Sequence, residues 1–318
     1  MANTKDIQRR IKSVKNTGKI TRAMEMVSAA KMRKSVNRVL AIRPYAKAAW
    51  NVLTNLTGSV SEEVHGLLEV REVKSVLVIV VTSNRGLCGS FNSQILKKVK
   101  EETNNLKSLK VNRTGDKKIE SKTSDEDLNI DFITIGRKGE SLIKRLGHNI
   151  IASFPDLTYF PVVTDIRPVT KIVSDDYLAK KYDKVAIAYT DYLSVISQKP
   201  KIRQLLPISK VDLEKQITEM DELAKVCGLD EPFVEYKIEP NVDDLLEDVV
   251  LKLTEMQIYH SILESNASKE AARMVAMKNA TESSKEMVED LTLAFNQIRQ
   301  MKITQEIAEI SAGRAALE

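Results

Sequence analysis

The chain has 318 residues, of which 42% are hydrophobic and 29% charged, with one Trp, six Phe, ten Met and two Cys. That length allows a sizeable core, and the scarcity of aromatics suits helix–helix packing better than an aromatic-lined pocket. Cys88 and Cys227 give neither a disulfide framework nor metal-ligand spacing, the N-terminus has no signal-like apolar core, and no apolar run reaches the ~18 residues of a bilayer span. The formal charge of +5 hides an asymmetry: residues 1–50 carry thirteen Lys and Arg against Asp6 and Glu25, whereas residues 241–318 carry eight against fourteen Asp and Glu. Segments of opposite sign attract along their length; the alternative is a basic helix that binds nucleic acid.

Residues 1–57 read as helix from about Asn3, with Thr4 as N-cap and Pro44 able to kink the helix without ending it. Ile7, Ile11 and Val14 share one face, while Ile20, Ala23, Met24, Val27 and Ala30 fall near the opposite face. The apolar stripe therefore changes sides near Thr17 and Gly18, as expected of a helix touched from more than one direction; a break at Gly18 is the alternative.

The period then changes. Lys74–Thr82 is a β-branched run suited to a strand buried on both faces, and Ser83–Asn92 leads into a helix ending near Asn105. Asp131–Ile135 is a second strand, followed by Gly136 and a basic helix through Leu146. Asp175–Lys181 reads as helix, Lys184–Tyr189 as a third strand and Lys201–Pro207 as a fourth. Strands alternating with helices predict an open, Rossmann-like α/β domain over residues 73–208. Within it the polar stretch 106–129 has too little apolar surface to pack and is expected to be mobile. Residues 209–240 form a linker with a second insertion, 210–230.

Residues 241–318 contain no proline and one glycine, Gly313. Stepping alternately by four and three from Val242 gives Leu246, Val249, Leu253, Met256, His260, Leu263, Ala267, Glu270, Met274, Met277, Thr281, Ser284, Val288, Leu291, Phe295 and Ile298; thirteen of these seventeen are apolar. Such a seam argues for one long coiled-coil helix of about 115 Å. Past Ile298 the counted positions fall on Lys302, Gln305 and Glu309, and the apolar residues Ile303, Ile307 and Ile310 shift phase.

No chemistry is specified. Arg85-Gly86-Leu87-Cys88-Gly89 and Gly136-Arg137-Lys138-Gly139 fit neither GxxxxGK[ST] nor GxGxxG, so both read as tight strand-to-helix turns. Cys88 has no histidine near it in sequence, and His65, His148 and His260 are scattered. On these grounds the chain is a structural or mechanical protein rather than an enzyme, with no cofactor and no metal.

Four stretches carry a resemblance: IQRRIKSVKNTGKITRAMEMVSAAKMRKS at 7–35, SNRGLCGSFN at 83–92, AARMVAMKNAT at 271–281 and RQMKITQEIAEISAG at 299–313. In order and separation they resemble the γ subunit of F-type ATP synthases. The resemblance implies an antiparallel coiled coil of the two terminal helices with the α/β domain at its base. It also implies a central shaft inside a ring of α and β subunits, whose foot attaches with the ε subunit to the membrane c-ring. Matching motifs place the positions that couple rotor to stator at Arg273, Gln300, Thr304 and Glu306, with Met24 close to them. Met24, Ala29, Ala30, Ala308 and Ala312 would give a weakly adhesive bearing surface. Neither insertion holds a cysteine pair, so the thiol switch of plastid members is not expected. A helix starting near residue 3, without a transit peptide, points to a bacterial protein peripheral to the cytoplasmic face of the cell membrane.

Overall fold

The computed structural model describes residues 4–59, 66–106, 109–114, 117–120, 128–158, 161–209, 218 and 242–315. Two compact units emerge, one of Met1–Ala29 with Arg273–Glu318, the other of Ala30–Ala272. The long helices α1 (Thr4–Ser59) and α5 (Val242–Ala315) are each continuous through both units. Gly18 does not break α1, and Pro44 lies inside it.

The larger unit is built on a five-stranded sheet. Its strands are β1 (Ser75–Val81), β4 (Asn129–Ile135), β5 (Asn149–Phe154), β6 (Lys184–Tyr192) and β7 (Gln198–Leu206), in the order β5-β4-β1-β6-β7. The first four run parallel and β7 pairs antiparallel with β6. β1 sits at the centre, which is why its sequence is an unbroken apolar run buried on both faces. β5 was not expected from the sequence. It is an edge strand whose residues are only half-buried, so it lacks that continuous signal. β7 begins at Gln198 and tolerates Pro200, because the other edge of the sheet needs no donor there.

Alternation of side chains along the strands divides the core in two. On one face Leu77, Ile79, Val81, Ile133, Ile135, Val185, Ile187 and Leu205 pack with Val39 and Ala46 of α1 and with Leu253, Met256, Ile262 and Leu263 of α5. Ile166, Val169, Val173 and Tyr177 of α4 (Val163–Leu178) complete that layer. On the other face Val76, Val78, Val80, Phe132 and Ala188 meet α2 (Phe91–Asn104) and Ile143 of α3 (Arg137–Arg145). Each such aliphatic side chain contributes about 1.5–3 kcal/mol by leaving water. α4 starts twelve residues before the Asp175 read from sequence; Pro168 inside it argues against a helix that packing of its apolar face nevertheless sustains.

The polar stretch 106–129 also departs from expectation. It carries an antiparallel hairpin, β2 (Val111–Thr114) with β3 (Lys117–Glu120), anchored by two polar contacts. Lys184 Nζ donates to the Val111 carbonyl at 2.6 Å, and Asn112 Nδ2 donates to the Arg71 carbonyl at 2.9 Å. These bonds supply what the composition lacks in apolar surface. The second insertion, 210–230, lies outside the described residues apart from Thr218, as does Cys227.

Candidate functional site

The turn from Gly136 to Gly139 is structural. Gly136 has φ +99°, and a Cβ there would stand 2.5 Å from the Thr82 carbonyl oxygen. At Gly139 a Cβ would lie 2.9 Å from Thr82 Oγ1, and the Gly139 N–H donates to that hydroxyl at 2.9 Å. Glycine is required here by close approach of β1's end to α3, with the N–H groups already turned to protein acceptors. Cys88 is buried, with Asn92 Nδ2 donating to its sulfur at 3.2 Å.

What the fold does build is a helix pair. In the smaller unit Thr21 Oγ1 and Thr281 Oγ1 are 2.8 Å apart, and a Cβ on Gly18 would come within 3.3 Å of Ser284 Cβ. Three residues forward in α1 is three residues back in α5, so the two helices run antiparallel. The same register sets Val14 level with Val288, Ile11 with Leu291, Ile7 with Phe295 and Thr4 with Ile298. In α5 every counted seam position from Val249 to Ile298 is buried or half-buried, and every residue from Arg299 to Arg314 is exposed. The seam stops level with Thr4, the first described residue of α1.

The packed line of α1 stays on one side of the helix, while the apolar stripe leaves it near Gly18. Counting by four and three from Ile7 gives Ile11, Val14, Gly18, Thr21, Glu25, Ser28, Met32, Ser35, Val39, Ile42, Ala46 and Ala49, and all are buried or half-buried. The buried line never moves; its chemistry changes from aliphatic to small and hydroxylic. Thr21 and Thr281 share two hydroxyl protons among three contacts: one hydroxyl donates across the pair, and the other donates to its local carbonyl, Gly18 at 3.1 Å for Thr21 or Met277 at 2.8 Å for Thr281. The apolar residues that leave the seam, Ile20 at 60% and Val27 at 54% exposure, face outward. Thr21 and Ser28 were missed in the sequence because apolarity was followed; following the count alone finds them.

The sequence-derived coupling residues divide into two groups. Arg273 is buried at 8% exposure and Met24 is half-buried. By the register Arg273 is level with Ala29 and Met24 with Lys278, an axial separation of roughly 8 Å. Gln300, Thr304 and Glu306 are exposed and lie about 40 Å or more further along α5 from Arg273. Thr304 Oγ1 donates to the Gln300 carbonyl at 3.0 Å, and Lys302 stands 3.9 Å from Glu306. Met24 is therefore close to Arg273 and remote from the other three. Around that second group Ile303, Ile307 and Ile310 are exposed, Ile310 by 73%, forming an apolar stripe on a single helix.

In the larger unit α5 passes through the domain with every residue from Met256 to Ala271 buried, although His260, Glu264, Lys269 and Glu270 are among them. Burial, with the charges of Arg203 and Lys201 nearby, pushes the His260 imidazole down to about 3, so it is neutral. Its Nε2 lies 3.4 Å from Glu264 Oε1, a contact made without a charge on the ring. Lys201 and the buried Asp191 form an ion pair on β7 and β6.

Comparison with known proteins fits this geometry. Residues 3–317 match the ATP synthase family. An ATP synthase gamma chain of Legionella pneumophila (strain Corby) is 35% identical over 317 residues, covering 100% of both chains. One from Roseiflexus castenholzii is 39% identical over 319 residues, covering 100% of this chain and 99% of its own. Among solved structures, a chain of the Tetrahymena thermophila mitochondrial ATP synthase central stalk and c-ring aligns with TM-score 0.56 and 25% identity, over 82% of this chain and 99% of that one. A chain of the Euglena gracilis mitochondrial ATP synthase aligns with TM-score 0.62 and 17% identity, over 99% and 94%, and so shares the fold.

Proposed function

This chain belongs to the ATP synthase gamma chain family, and from that membership we propose that it is the central rotor shaft of an F-type ATP synthase. Its antiparallel helices turn inside a ring of α and β subunits, and the α/β domain, with the ε subunit, joins them to the membrane c-ring. Ion-driven rotation of that ring is thereby coupled to ATP synthesis on the β subunits, or to hydrolysis in reverse. The chain itself is non-catalytic.

The observation that carries this reading is the exposed single helix beyond Ile298, with its stripe of Ile303, Ile307 and Ile310. A helix so apolar on one side and left uncovered by the described residues of its own chain needs a surrounding partner. The Ile20 and Val27 face of α1 supplies a second such surface. A shaft shifts β-subunit states only by contacting each differently. Met24, Arg273, Gln300, Thr304 and Glu306 are assigned that role, with Met24 and Arg273 at one level and the others at the tip.

No helix among the described residues is long and apolar enough to cross a membrane. Attachment through the c-ring, at the cytoplasmic face of a bacterial membrane, accounts for a peripheral rotor. Nothing in the fold or the relatives supports the nucleic-acid alternative. Copurification of this chain with α, β and ε subunits tests the reading. Salt-sensitive binding to duplex DNA by the chain, without assembly on α and β, would overturn it.

A further inference from the structure

Polar contacts to α5 from opposite sides of the helix distinguish its passage through the α/β domain. Tyr259 Oη donates to the Pro161 carbonyl at 3.1 Å, in the segment leading into α4. Ser268 Oγ donates to the Thr190 carbonyl at 3.1 Å, on β6. Nine residues separate Tyr259 from Ser268, which is about 180° of azimuth and roughly 13 Å along the axis. Arg167 Nε lies 3.5 Å from Glu255 Oε1, one turn before Tyr259 and on nearly the same side. Arg38 of α1 reaches the same Pro161 carbonyl at 3.4 Å, so one backbone oxygen holds both long helices to the domain.

The mechanical consequence follows from the kind of force involved. Apolar packing is non-directional and holds a helix in its seat by shape alone. A hydrogen bond weakens steeply with angle and distance, so it resists displacement. Bonds on one side alone would act as a hinge, whereas bonds on opposite sides and at different heights oppose rolling in both senses. We propose that Tyr259 and Ser268 are positioning residues of a two-sided clamp by which the α/β domain grips α5, so that torque reaching the domain turns the helix instead of rolling it. The clamp rests on the rotor reading and adds where the shaft is held.

The test uses the full complex assembled with Tyr259→Phe and Ser268→Ala together. The ratio of ATP synthesis under an ion gradient to unloaded ATP hydrolysis is expected to fall about fivefold, with assembly unchanged. Torsional stiffness, read from the angular fluctuations of a bead on the α/β domain, falls with it. Val169→Ala, a cavity in the same core, lowers thermal stability and leaves the ratio and the stiffness at the wild-type value. Tyr259→Phe alone keeps the ring volume and gives part of the effect should the double variant fold poorly. A wild-type ratio and stiffness in the clamp variants, or the same losses in Val169→Ala, overturns the clamp. Failure of the wild-type chain to assemble overturns the rotor reading instead.

Discussion

The hydroxyls of Thr21 and Thr281, 260 residues apart in sequence, meet at 2.8 Å in the middle of the helix pair. Beside them Gly18 lets Ser284 approach closer than any larger residue would. A coiled coil normally fills such positions with leucine or isoleucine. Here the pair is narrow and its register is set by a hydrogen bond.

Thr21→Val and Thr281→Val are each expected to cost about 1 kcal/mol of stability in urea denaturation of the chain. Because each orphans the other's partner, the double variant costs less than the two combined, by roughly 0.5 kcal/mol or more. Strict additivity shows that the two hydroxyls do not act as a pair.

Gly18→Leu forces a branched side chain against Ser284 and should destabilise by about 1–3 kcal/mol, despite the better helix propensity of leucine. Ile20→Ala, two residues on but facing outward, stays within about 0.5 kcal/mol of wild type. Equal effects would mean that the seam does not run through Gly18.

His260 sets a pH dependence. Its folded pKa lies below its ordinary value, so the unfolded chain takes up a proton that the folded chain refuses. Stability from this group is complete above the unfolded value of about 6.5 and is lost as pH falls toward about 3, at up to ~1.4 kcal/mol per pH unit. Glu264, Lys201 and Arg203 share its surroundings. The comparison that isolates the histidine is therefore the difference in Tm between wild type and His260→Gln across pH 7 to 4.5, which should shrink as pH falls. A difference constant with pH rejects this account.

Ile307→Asp and Ile310→Asp alter residues exposed by 59% and 73%. The isolated chain should keep its Tm, while the assembled complex loses coupling between ion flow and ATP synthesis. If Tm drops instead, the stripe is packed within the chain.

For the coupling residues, Arg273→Ala with Gln300→Ala is expected to lower ATP synthesis by reconstituted complexes more than it lowers assembly. The two sites lie about 40 Å apart on α5, so their effects on synthesis should combine independently. Synthesis at the normal rate by the double variant would remove both from the coupling set.

The long helix α5 and the central strand β1 were legible because each repeats one signal along its own length: the four-and-three spacing from Val242 to Ile298, and the β-branched run of Ser75–Val81. The edge strand β5 and the β2–β3 hairpin were not, since half-buried edges and polar anchoring leave no continuous apolar pattern. The four motif stretches specified the family, and the alternation of period specified an open α/β domain. Only the tertiary structure showed what meets the hydroxylic positions of the α1 seam: Thr21 stands at hydrogen-bond distance from Thr281 of the opposing helix, and Ser28 is buried. It also decided that Tyr259 and Ser268 hold α5 from opposite sides, because their acceptors at Pro161 and Thr190 come from elements far away in sequence. Spacing along one chain fixes which residues share a face; what stands against that face is set by long-range packing.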